Sequence, residues 1–273
     1  MKNKFLKWLS LPYIVWAVGF TIIPLIMVFY YGLTDKNGAF TLNNVLAIGQ
    51  TVHYKALFIS LLLSFISTLI CLLISYPLAM ILAGMNKDNN KLLILIFILP
   101  MWMNFLLRTL AWQTLLENEG VINTVLHFLH LPSLNIINTP YAIIFGMIYN
   151  FLPFMVLPIY NVLCKIDKNL LNAAKDLGAN EIQTFIKITL PLSVPGIISG
   201  ITMVFVPALT TFVISDLLGG SKILLIGNVI EQEFTLNCNW NLGSGLSIVL
   251  MIFIIISMIA SAIFDKDGEG STF

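Results

Sequence analysis

Long apolar segments separated by short polar ones are the dominant pattern of the chain. Each apolar segment, as a helix, can cross the roughly 30 Å of hydrocarbon in a lipid bilayer. Inside a bilayer only helices and closed barrels satisfy their own backbone hydrogen bonds, and the alternating pattern of barrel strands is missing here. The pattern therefore predicts an all-α integral membrane protein with six transmembrane helices, near residues 11–33, 56–85, 92–116, 141–164, 194–218 and 244–264.

The composition supports this fold class. Of the 273 residues, 58% are hydrophobic and 10% are charged, whereas soluble domains carry about 25% charged residues. The first apolar segment follows three lysines, as in a signal peptide, but it runs to about residue 33 without a small-x-small cleavage site. We therefore expect it to be retained as the first span. No disulfide framework or metal site is expected from the scattered cysteines, Cys71, Cys164 and Cys238.

Positive charge is unevenly distributed between the two sides of the predicted spans. If the N-terminus is cytoplasmic, the inside segments hold ten lysines and the outside segments three, with Arg108 near the outer part of the third span. Because Lys and Arg concentrate on the cytoplasmic side of membrane proteins, this bias predicts that both termini are cytoplasmic. The inside residues are Lys2, Lys4, Lys7, Lys87, Lys91, Lys165, Lys168, Lys175, Lys187 and Lys266, against Lys36, Lys55 and Lys222 outside.

A polar segment between the fourth and fifth predicted spans, residues 165–193, is here called the hairpin. Asp167 can cap the start of a short helix, and Gly178 stands where a helix ends in a left-handed residue. Asn180 can cap a second helix together with Gln183, and Pro191 is expected to end it. Such a hairpin either lies on the membrane surface or docks a soluble partner, whose groove could close tightly on its small residues.

The hairpin also carries a sequence signature. Ala173-Ala174, three residues, Gly178, nine residues, Ile188, one residue and Leu190-Pro191 follow with the spacing of the "EAA" signature, so the chain resembles the permease subunits of ABC importers. In that family a Glu leads the signature; here the position is Asn172, which keeps hydrogen-bonding capacity without the charge. The resemblance implies that coupling to an ATPase involves Asn172, Ala173, Ala174, Gly178, Ile188, Leu190 and Pro191.

Further motifs extend the resemblance over nearly the whole chain. They are similar to those of spermidine/putrescine permeases of the PotB type, and they lie at residues 75–79, 99–104 with Arg108, 120–123, 152–158, 176–179, 183–186, 215–220 and 226–230. The resemblance implies a type I ABC importer with the MetI-like permease fold. Residues 1–273 would form a single transmembrane permease domain, with the hairpin as its cytoplasmic coupling element.

The same resemblance implies the partners of the chain. The sequence has no G-x-x-x-x-G-K-[ST] motif and so no phosphate-binding loop of that kind. We therefore expect no cofactor bound by this chain, and we expect a partner ATPase, as a homodimer, to use ATP and Mg²⁺. The other expected partners are a second six-helix permease (PotC-like), an extracellular or periplasmic polyamine-binding protein, and the lipid bilayer of the cell membrane; no nucleic acid is expected.

A pathway for polyamines, which are flexible polycations, needs carboxylates and aromatic faces that bind weakly at each step. Charge within a span is costly and usually functional. Asp216, near the outer end of the fifth predicted span, is therefore expected on the pathway or at a gate; otherwise it pairs with Arg108 or caps local backbone. Arg108 does not help a cation to cross, and we expect it to bind a carboxylate, either Asp216 or Glu117.

Other pathway candidates lie in the third span and in the last outer loop. Trp102 and Asn104 could line the path or pack against the sister permease. The outer loop 219–243 is expected to hold a short helix near residues 225–234. Its Glu231 and Glu233 could attract substrate, contact the binding protein or form a solvated face.

Glycine and proline within the spans indicate close packing and bends. Gly196 and Gly200 are spaced to let the fifth helix approach a neighbour closely. Each of four prolines removes a backbone donor within a span and permits a kink, although ordinary helix packing is an alternative: Pro77, Pro153, Pro158 and Pro207.

Alternatives of function remain open at this point. The same class of importer could carry another small solute. A membrane-embedded enzyme would need a polar catalytic constellation such as G-x-S-x-G with His, H-E-x-x-H or paired aspartates, and the sequence offers none, so a transport subunit is expected. His127 and His130 share a helix face without an evident third metal ligand. A channel or secondary transporter would not need the hairpin.

Overall fold

The computed structural model describes residues 11–85, 93, 95, 97–220 and 222–269. Within this part of the chain the regular elements are helical, and Thr34 and Phe40 form an isolated antiparallel bridge. Several lysines that were used to predict the orientation lie outside the described residues, namely Lys2, Lys4, Lys7, Lys87 and Lys91.

The helices are numbered in chain order. They are α1 (Leu11–Ala17, a π-helical turn at Val18–Ile22, and Ile23–Gly32), α2 (Asn43–Leu46), α3 (Thr51–Gly84), α4 (Phe105–Leu116), α5 (Val121–Phe128), α6 (Pro140–Leu163), α7 (Lys168–Asp176), α8 (Glu181–Thr184, a π-helical turn at Phe185–Thr189, and Leu190–Thr210), α9 (Val213–Gly219), α10 (Ile226–Thr235) and α11 (Trp240–Glu269). Short 3₁₀ turns lie at Ala47–Gly49 and Leu99–Trp102.

Five helices in the described part of the chain are long and apolar enough to cross a membrane. These are Tyr13–Gly32, Thr51–Gly84, Pro140–Leu163, Glu181–Thr210 and Trp240–Ile263. Each overlaps one of the predicted apolar segments. The structure is therefore the helical, multi-span fold that the hydrophobic pattern predicts.

The remaining apolar segment, predicted as one span over residues 92–116, is interrupted. A 3₁₀ turn at Leu99–Trp102 is followed by extended backbone at Met103, where ψ is 147°. Asn104 then starts α4, because its Oδ1 accepts hydrogen bonds from the N–H groups of Leu106 at 2.9 Å and Leu107 at 3.3 Å. A side-chain cap of this kind begins a new helix, so the segment is helical on both sides of a break.

The fifth predicted span, residues 194–218, is also divided. Helix α8 begins well before this segment and ends at Thr210, and extended backbone at Thr211, with ψ of 140°, separates it from α9. The short helix α9 is a distinct element in which Ile214 and Leu218 are fully buried. Its side chains fill the space beside Gly146 of α6, where a Cβ would lie 2.9 Å from Ile214.

The chain folds into two compact units. The first comprises Met1–Lys55 and Val229–Phe253, and the second comprises Ala56–Asn228 and Ile254–Phe273. The second unit therefore contains the hairpin and α6, α8 and α9.

In the first unit the end of α1 is held by side-chain amides. Asn241 Nδ2 donates hydrogen bonds to the carbonyl oxygens of Tyr31 at 3.1 Å and Thr34 at 2.7 Å, and Asn44 Nδ2 donates to Thr34 at 2.8 Å. These bonds satisfy carbonyls that the end of a helix leaves unpaired. Gly32 faces α11 so closely that a Cβ would lie 3.1 Å from the carbonyl oxygen of Ser244.

In the second unit α6 and α8 pack through glycine. A Cβ on Gly196 would lie 2.9 Å from the carbonyl oxygen of Pro158, and one on Gly200 would lie 2.7 Å from the sulfur of Met155. Association of helices within lipid depends on such close packing, since burial from water contributes little there. The predicted close approach at these two glycines is confirmed.

Candidate functional site: the hairpin and the outer carboxylates

The first helix of the hairpin, α7, begins with a side-chain cap. Asp167 has a non-helical backbone, with φ −67° and ψ 123°, and its Oδ1 accepts a hydrogen bond from the N–H of Asn169 at 2.9 Å. This bond satisfies one of the backbone donors that the start of a helix leaves unpaired. The cap predicted at Asp167 is confirmed.

Gly178 follows α7 in the left-handed conformation, with φ of +84°. Its N–H donates to the carbonyl of Lys175 at 2.9 Å, and the N–H of Ala179 donates to the carbonyl of Ala174 at 3.0 Å. These two bonds form a Schellman motif, which pairs the last carbonyls of a helix. A Cβ on Gly178 would meet no atom within 4 Å, so this chain needs glycine there for its φ angle and not for space.

The second helix of the hairpin, α8, begins with a reciprocal pair of hydrogen bonds. Asn180 Oδ1 accepts from the N–H of Gln183 at 2.8 Å, and Gln183 Oε1 accepts from the N–H of Asn180 at 3.0 Å. This is the capping box that the sequence predicts. With caps on both sides of Gly178, the turn has one well-defined backbone path.

Apolar side chains of the hairpin point away from the rest of the chain. Leu177 is 89% exposed, and Leu170, Ala173, Ile182 and Ile186 are exposed as well. Exposed apolar surface of this kind is typical of protein or membrane contact sites. These side chains leave the hairpin with an outward surface that suits a partner.

Two other residues of the hairpin face inward. Ala174 is 8% exposed and Thr184 is 7% exposed. At helical spacing Ala173 and Ala174 could share one apolar face with Leu170 and Leu177, but in the structure Ala173 is exposed and Ala174 is buried. The signature therefore contributes both to the attachment of the hairpin and to its surface.

The second half of the signature lies where the hairpin joins the fifth apolar segment. Ile188 lies within the π-helical turn, in which the N–H of Leu190 bonds the carbonyl of Phe185 five residues earlier. Pro191 stands in the first turn of the α-helical part that follows. The prediction that Pro191 ends the helix is wrong, because α8 continues through it. A proline is tolerated in the first turn of an α-helix, where its missing N–H costs little.

Contacts with α3 hold the base of the hairpin. The hydroxyls of Tyr76 and Ser193 are 2.8 Å apart, and the ring of Tyr76 packs edge-on against Phe185 with centroids 5.7 Å apart. Ser193 also donates to the carbonyl of Leu190 at 2.8 Å. The π-helical turn and the residues directly after it are thus attached to α3 by a ring contact and a hydrogen bond.

Asp216 lies in the first turn of α9 and is partly buried. Its Oδ1 accepts a hydrogen bond from Asn228 Nδ2 at 2.6 Å. The carboxylate is therefore held by a side chain from the start of α10. Sequence reasoning did not assign a role to Asn228, although it lies in one of the motifs that carry the resemblance.

Arg108 is buried in α4, and its contacts differ from those expected. Its Nη1 donates to the carbonyl of Pro100 at 2.8 Å, and its guanidinium carbon lies 5.7 Å from the centroid of the Tyr149 ring. The carbonyl and the aromatic ring take the place of the expected carboxylate, Asp216 or Glu117. Pro100 belongs to the 3₁₀ turn that precedes the break in the third apolar segment. The bond from Arg108 therefore connects α4 to the residues on the other side of that break.

The other pathway candidates are distributed over both units. In the second unit Trp102 is 78% exposed, and Asn104 is the cap of α4. In the first unit Glu231 and Glu233 lie on α10, the helix predicted near residues 225–234. Thr235 Oγ1 donates to Glu231 Oε1 at 3.1 Å, and Asn237 Nδ2 donates to Glu233 Oε1 at 2.9 Å.

In the described part of the chain no three residues among His, Cys, Asp and Glu are grouped so that they could hold a metal ion. His127 and His130 belong to α5 and the turn that follows it.

The fold and the hairpin together define a class of protein: a multi-span helical membrane protein with a capped polar hairpin between two spans, on which several apolar side chains are exposed. A family model described as "Binding-protein-dependent transport system inner membrane component" matches residues 75–267. The chain belongs to this family. It is therefore a permease subunit of an ABC importer, a transport subunit of a membrane complex and not an enzyme.

Curated relatives narrow the comparison. The chain is 38% identical over 260 residues to the spermidine/putrescine transport system permease protein PotB of Haemophilus influenzae, with 92% of this chain and 91% of the relative covered. It is 40% identical over 245 residues to the PotB protein of Escherichia coli K12, with 87% and 89% covered. The resemblance stated from the sequence is confirmed.

Solved structures share the fold. One chain from a bacterial ABC transporter that imports the acidic polysaccharide alginate superposes with a TM-score of 0.76 at 19% identity, covering 100% of this chain and 97% of that one. A chain of the MetNI methionine ABC transporter, in an inward-facing conformation, gives a TM-score of 0.57 at 18% identity, covering 81% and 99%. At these identities the similarity establishes the fold alone.

Proposed function

We propose that this chain is the permease subunit through which an ABC importer moves spermidine and putrescine into the cell. The observation that carries the proposal is the capped hairpin, whose signature residues occupy defined inward and outward positions. The identity of 38–40% to permeases named for these polyamines supports the cargo. The alternative, another small solute, is kept as an outcome of the experiment below.

In this proposal the hairpin receives the force of ATP hydrolysis. A homodimeric ATPase, which holds ATP and Mg²⁺, would dock on the exposed side chains of α7 and of the start of α8. Asn172, Ala173 and Gly178 would contact it directly, since all three are exposed. Ala174, Ile188, Leu190 and Pro191 would transmit its movement to the spans, because they lie inward or at the join with α8.

In this proposal the docking surface lies in the cytoplasm. Lys165, Lys168, Lys175 and Lys187 belong to the hairpin, and such a cluster favours the cytoplasmic side. The two termini would then also be cytoplasmic, and the two compact units would act as one permease domain. A PotC-like permease would complete the pathway, and a binding protein would deliver the polyamine from the opposite side of the membrane.

The cation pathway is proposed to include Asp216. A carboxylate attracts an ammonium group, and it lies near the outer end of the fifth apolar segment, where cargo would enter. Trp102 could contribute an aromatic face for weak cation–π contact, and Asn104 an amide. Glu231 and Glu233 would raise the local concentration of cations at the entrance.

The test is uptake of labelled spermidine into cells that lack their own polyamine importer. The cells express this chain with its candidate ATPase, sister permease and binding protein, and unlabelled putrescine serves as competitor. We expect ATP-dependent uptake that putrescine reduces. An assembled complex that hydrolyses ATP but imports no spermidine would keep the importer class and discard the polyamine cargo.

A matched pair of variants tests the docking surface in the same experiment. Leu177→Lys places a charge on the exposed face of the hairpin, and Leu236→Lys does the same at a leucine that is 74% exposed after α10. We expect that the ATPase no longer co-purifies with the Leu177→Lys variant and that this variant no longer imports spermidine. The Leu236→Lys variant should still co-purify with the ATPase. Equal ATPase recovery from the two variants would discard the hairpin as the docking site.

A further inference from the structure

Asn228 is 1% exposed at the start of α10 and uses its full hydrogen-bonding capacity. Its Oδ1 accepts from the hydroxyl of Ser215 and from the N–H of Leu225 at 3.1 Å. Its Nδ2 donates to the carbonyl of Phe212 at 3.1 Å and to Asp216 Oδ1 at 2.6 Å. An amide has two acceptor and two donor positions, so none remains unused.

These four bonds fix the direction of the amide. An exchange of its oxygen and nitrogen would place the NH₂ group against the N–H of Leu225 and the oxygen against the carbonyl of Phe212. Both contacts would be repulsive, since a backbone N–H only donates and a carbonyl only accepts. The NH₂ group of Asn228 is therefore committed to Asp216.

The backbone around Asn228 is held as firmly as its side chain. The N–H of Ile226 donates to the hydroxyl of Ser60 in α3 at 2.8 Å, and Ser60 is fully buried. A Cβ on Gly227 would lie 2.8 Å from the carbonyl oxygen of Thr210, so α10 starts directly against the end of α8. The amide that holds Asp216 is thus anchored by α3, α8 and α9.

We propose that Asn228 is a positioning residue for polyamine passage: it holds the carboxylate of Asp216 in the orientation in which it meets the cationic cargo. The inference rests on the proposed function, in which Asp216 is part of the pathway. A hydrogen bond to an ionised carboxylate is short and strong. The fixed carboxylate can bind a passing ammonium without first losing side-chain freedom.

An exchange of the two residues separates positioning from a structural bond. Asn228→Asp keeps the size of the side chain and the acceptor contacts of Oδ1, but its second oxygen faces both the carboxylate of Asp216 and the carbonyl of Phe212. Two carboxylates in contact repel each other, so the thermal stability and the uptake of this variant should both fall. Adding Asp216→Asn restores a complementary pair, with the amide now on α9 and the carboxylate at position 228.

The expected result is that the exchanged pair is more stable than Asn228→Asp alone, because the repulsion between two carboxylates is gone, but that uptake does not recover. Its stability stays below that of the unmodified complex, because a carboxylate oxygen now faces the carbonyl of Phe212. Its carboxylate then stands at a position that is 1% exposed in the unmodified chain, and cargo cannot reach it. Uptake should stay at least about tenfold below that of the unmodified complex, the usual effect of losing an interaction with a charged group. Uptake is measured per assembled complex, with saturating loaded binding protein.

Ser67→Ala is the matched control. It removes a fully buried hydroxyl of α3 that donates to the sulfur of Met147 at 3.4 Å and lies outside the network that holds Asp216, so stability should fall while uptake per assembled complex is unchanged.

Three results would overturn the inference. A gain of both stability and uptake in the exchanged pair over Asn228→Asp alone would make the bond purely structural, and a gain in neither would mean that the two residues do not act as a pair. Full uptake by Asp216→Asn alone would remove Asp216 from the pathway, and this inference with it. None of these results would discard the polyamine importer, which fails only if the unmodified complex imports no spermidine.

Discussion

Gly178 is a position at which substitutions can separate the shape of the hairpin from the surface that it offers to a partner. Its φ of +84° lies in the left-handed region. A residue with a Cβ pays roughly 1–2 kcal/mol there, while Asn and Asp tolerate the conformation better because their side chains bond locally. Since a Cβ would meet no atom within 4 Å, no steric cost is added in the isolated chain.

The structure therefore predicts opposite orders for stability and for coupling. In the isolated chain Gly178→Ala should cost about 1–2 kcal/mol, and Gly178→Asn and Gly178→Asp should cost less. If a partner's groove closes on this turn, uptake should instead fall with side-chain size and charge, from Ala to Asn to Asp. Asn and Asp have the same shape, so any difference between them reports the added charge.

Two measurements on the same three variants test this reasoning. Thermal unfolding of the isolated permease in detergent ranks the three variants by stability. ATP-dependent uptake, together with co-purification of the ATPase, ranks them by coupling. If uptake followed the same order as thermal stability, with Ala the most impaired, the glycine would serve only the backbone turn. The idea of a groove that closes on Gly178 would then be refuted.

Further predictions concern packing and caps. Asn180→Ala removes the capping box and should cost about 1 kcal/mol, which faster amide hydrogen exchange at the start of α8 would reveal; unchanged exchange would contradict it. Gly196→Ala should destabilise the protein more than Gly200→Ala. The new Cβ at position 196 would lie 2.9 Å from a backbone oxygen, whereas the one at position 200 would meet the sulfur of a flexible methionine side chain. Equal shifts in thermal unfolding would contradict this packing. Tyr76→Phe loses the 2.8 Å bond to Ser193 but keeps its ring contact, so it should cost about 1 kcal/mol, less than Tyr76→Ala in the same assay; equal costs would argue against the ring contact.

The hairpin could be predicted in detail because its signals are local. Asp167, Gly178, Asn180 and Gln183 each act on backbone groups within a few residues of themselves. The hydrophobic segments could also be predicted, because a span is one continuous apolar stretch whose length reflects the thickness of the bilayer. In both cases the signal lies within a single short stretch of the sequence.

Interruptions within the apolar segments were harder to predict. Hydrophobicity does not distinguish a continuous helix from two helices joined by a capped break, so the break before Asn104 could not be predicted from it. The prediction at Pro191 failed in the opposite direction, because this proline lies within α8, directly after the π-helical turn, and the helix continues through it. The π-helical turn that precedes it widens the backbone there, and no local pattern announces such a turn. Pro24 stands in the same place after the π-helical turn of α1.

The role of Asn228 depends on tertiary structure. Its partners Asp216 and Phe212 are 12 and 16 residues away in the sequence. Ser60, which anchors the neighbouring Ile226, is 166 residues away from Ile226. An asparagine at the start of a helix is an ordinary cap in the sequence. Only the break between α8 and α9 brings the carbonyl of Phe212 and the carboxylate of Asp216 within its reach.

Asn172 stands where the family signature has a Glu, and the exposure of the signature residues indicates what this difference affects. Ala174 is buried against its own chain, whereas Asn172 and Ala173 are exposed. The charge that the family carries at the leading position is therefore missing from the exposed surface that we propose as the ATPase docking site, and not from the fold of the hairpin. The caps at Asp167 and Asn180 and the turn at Gly178 form without it. Compensation for the missing charge is consequently expected in the groove of the ATPase, where a neutral amide must be accommodated in place of a carboxylate.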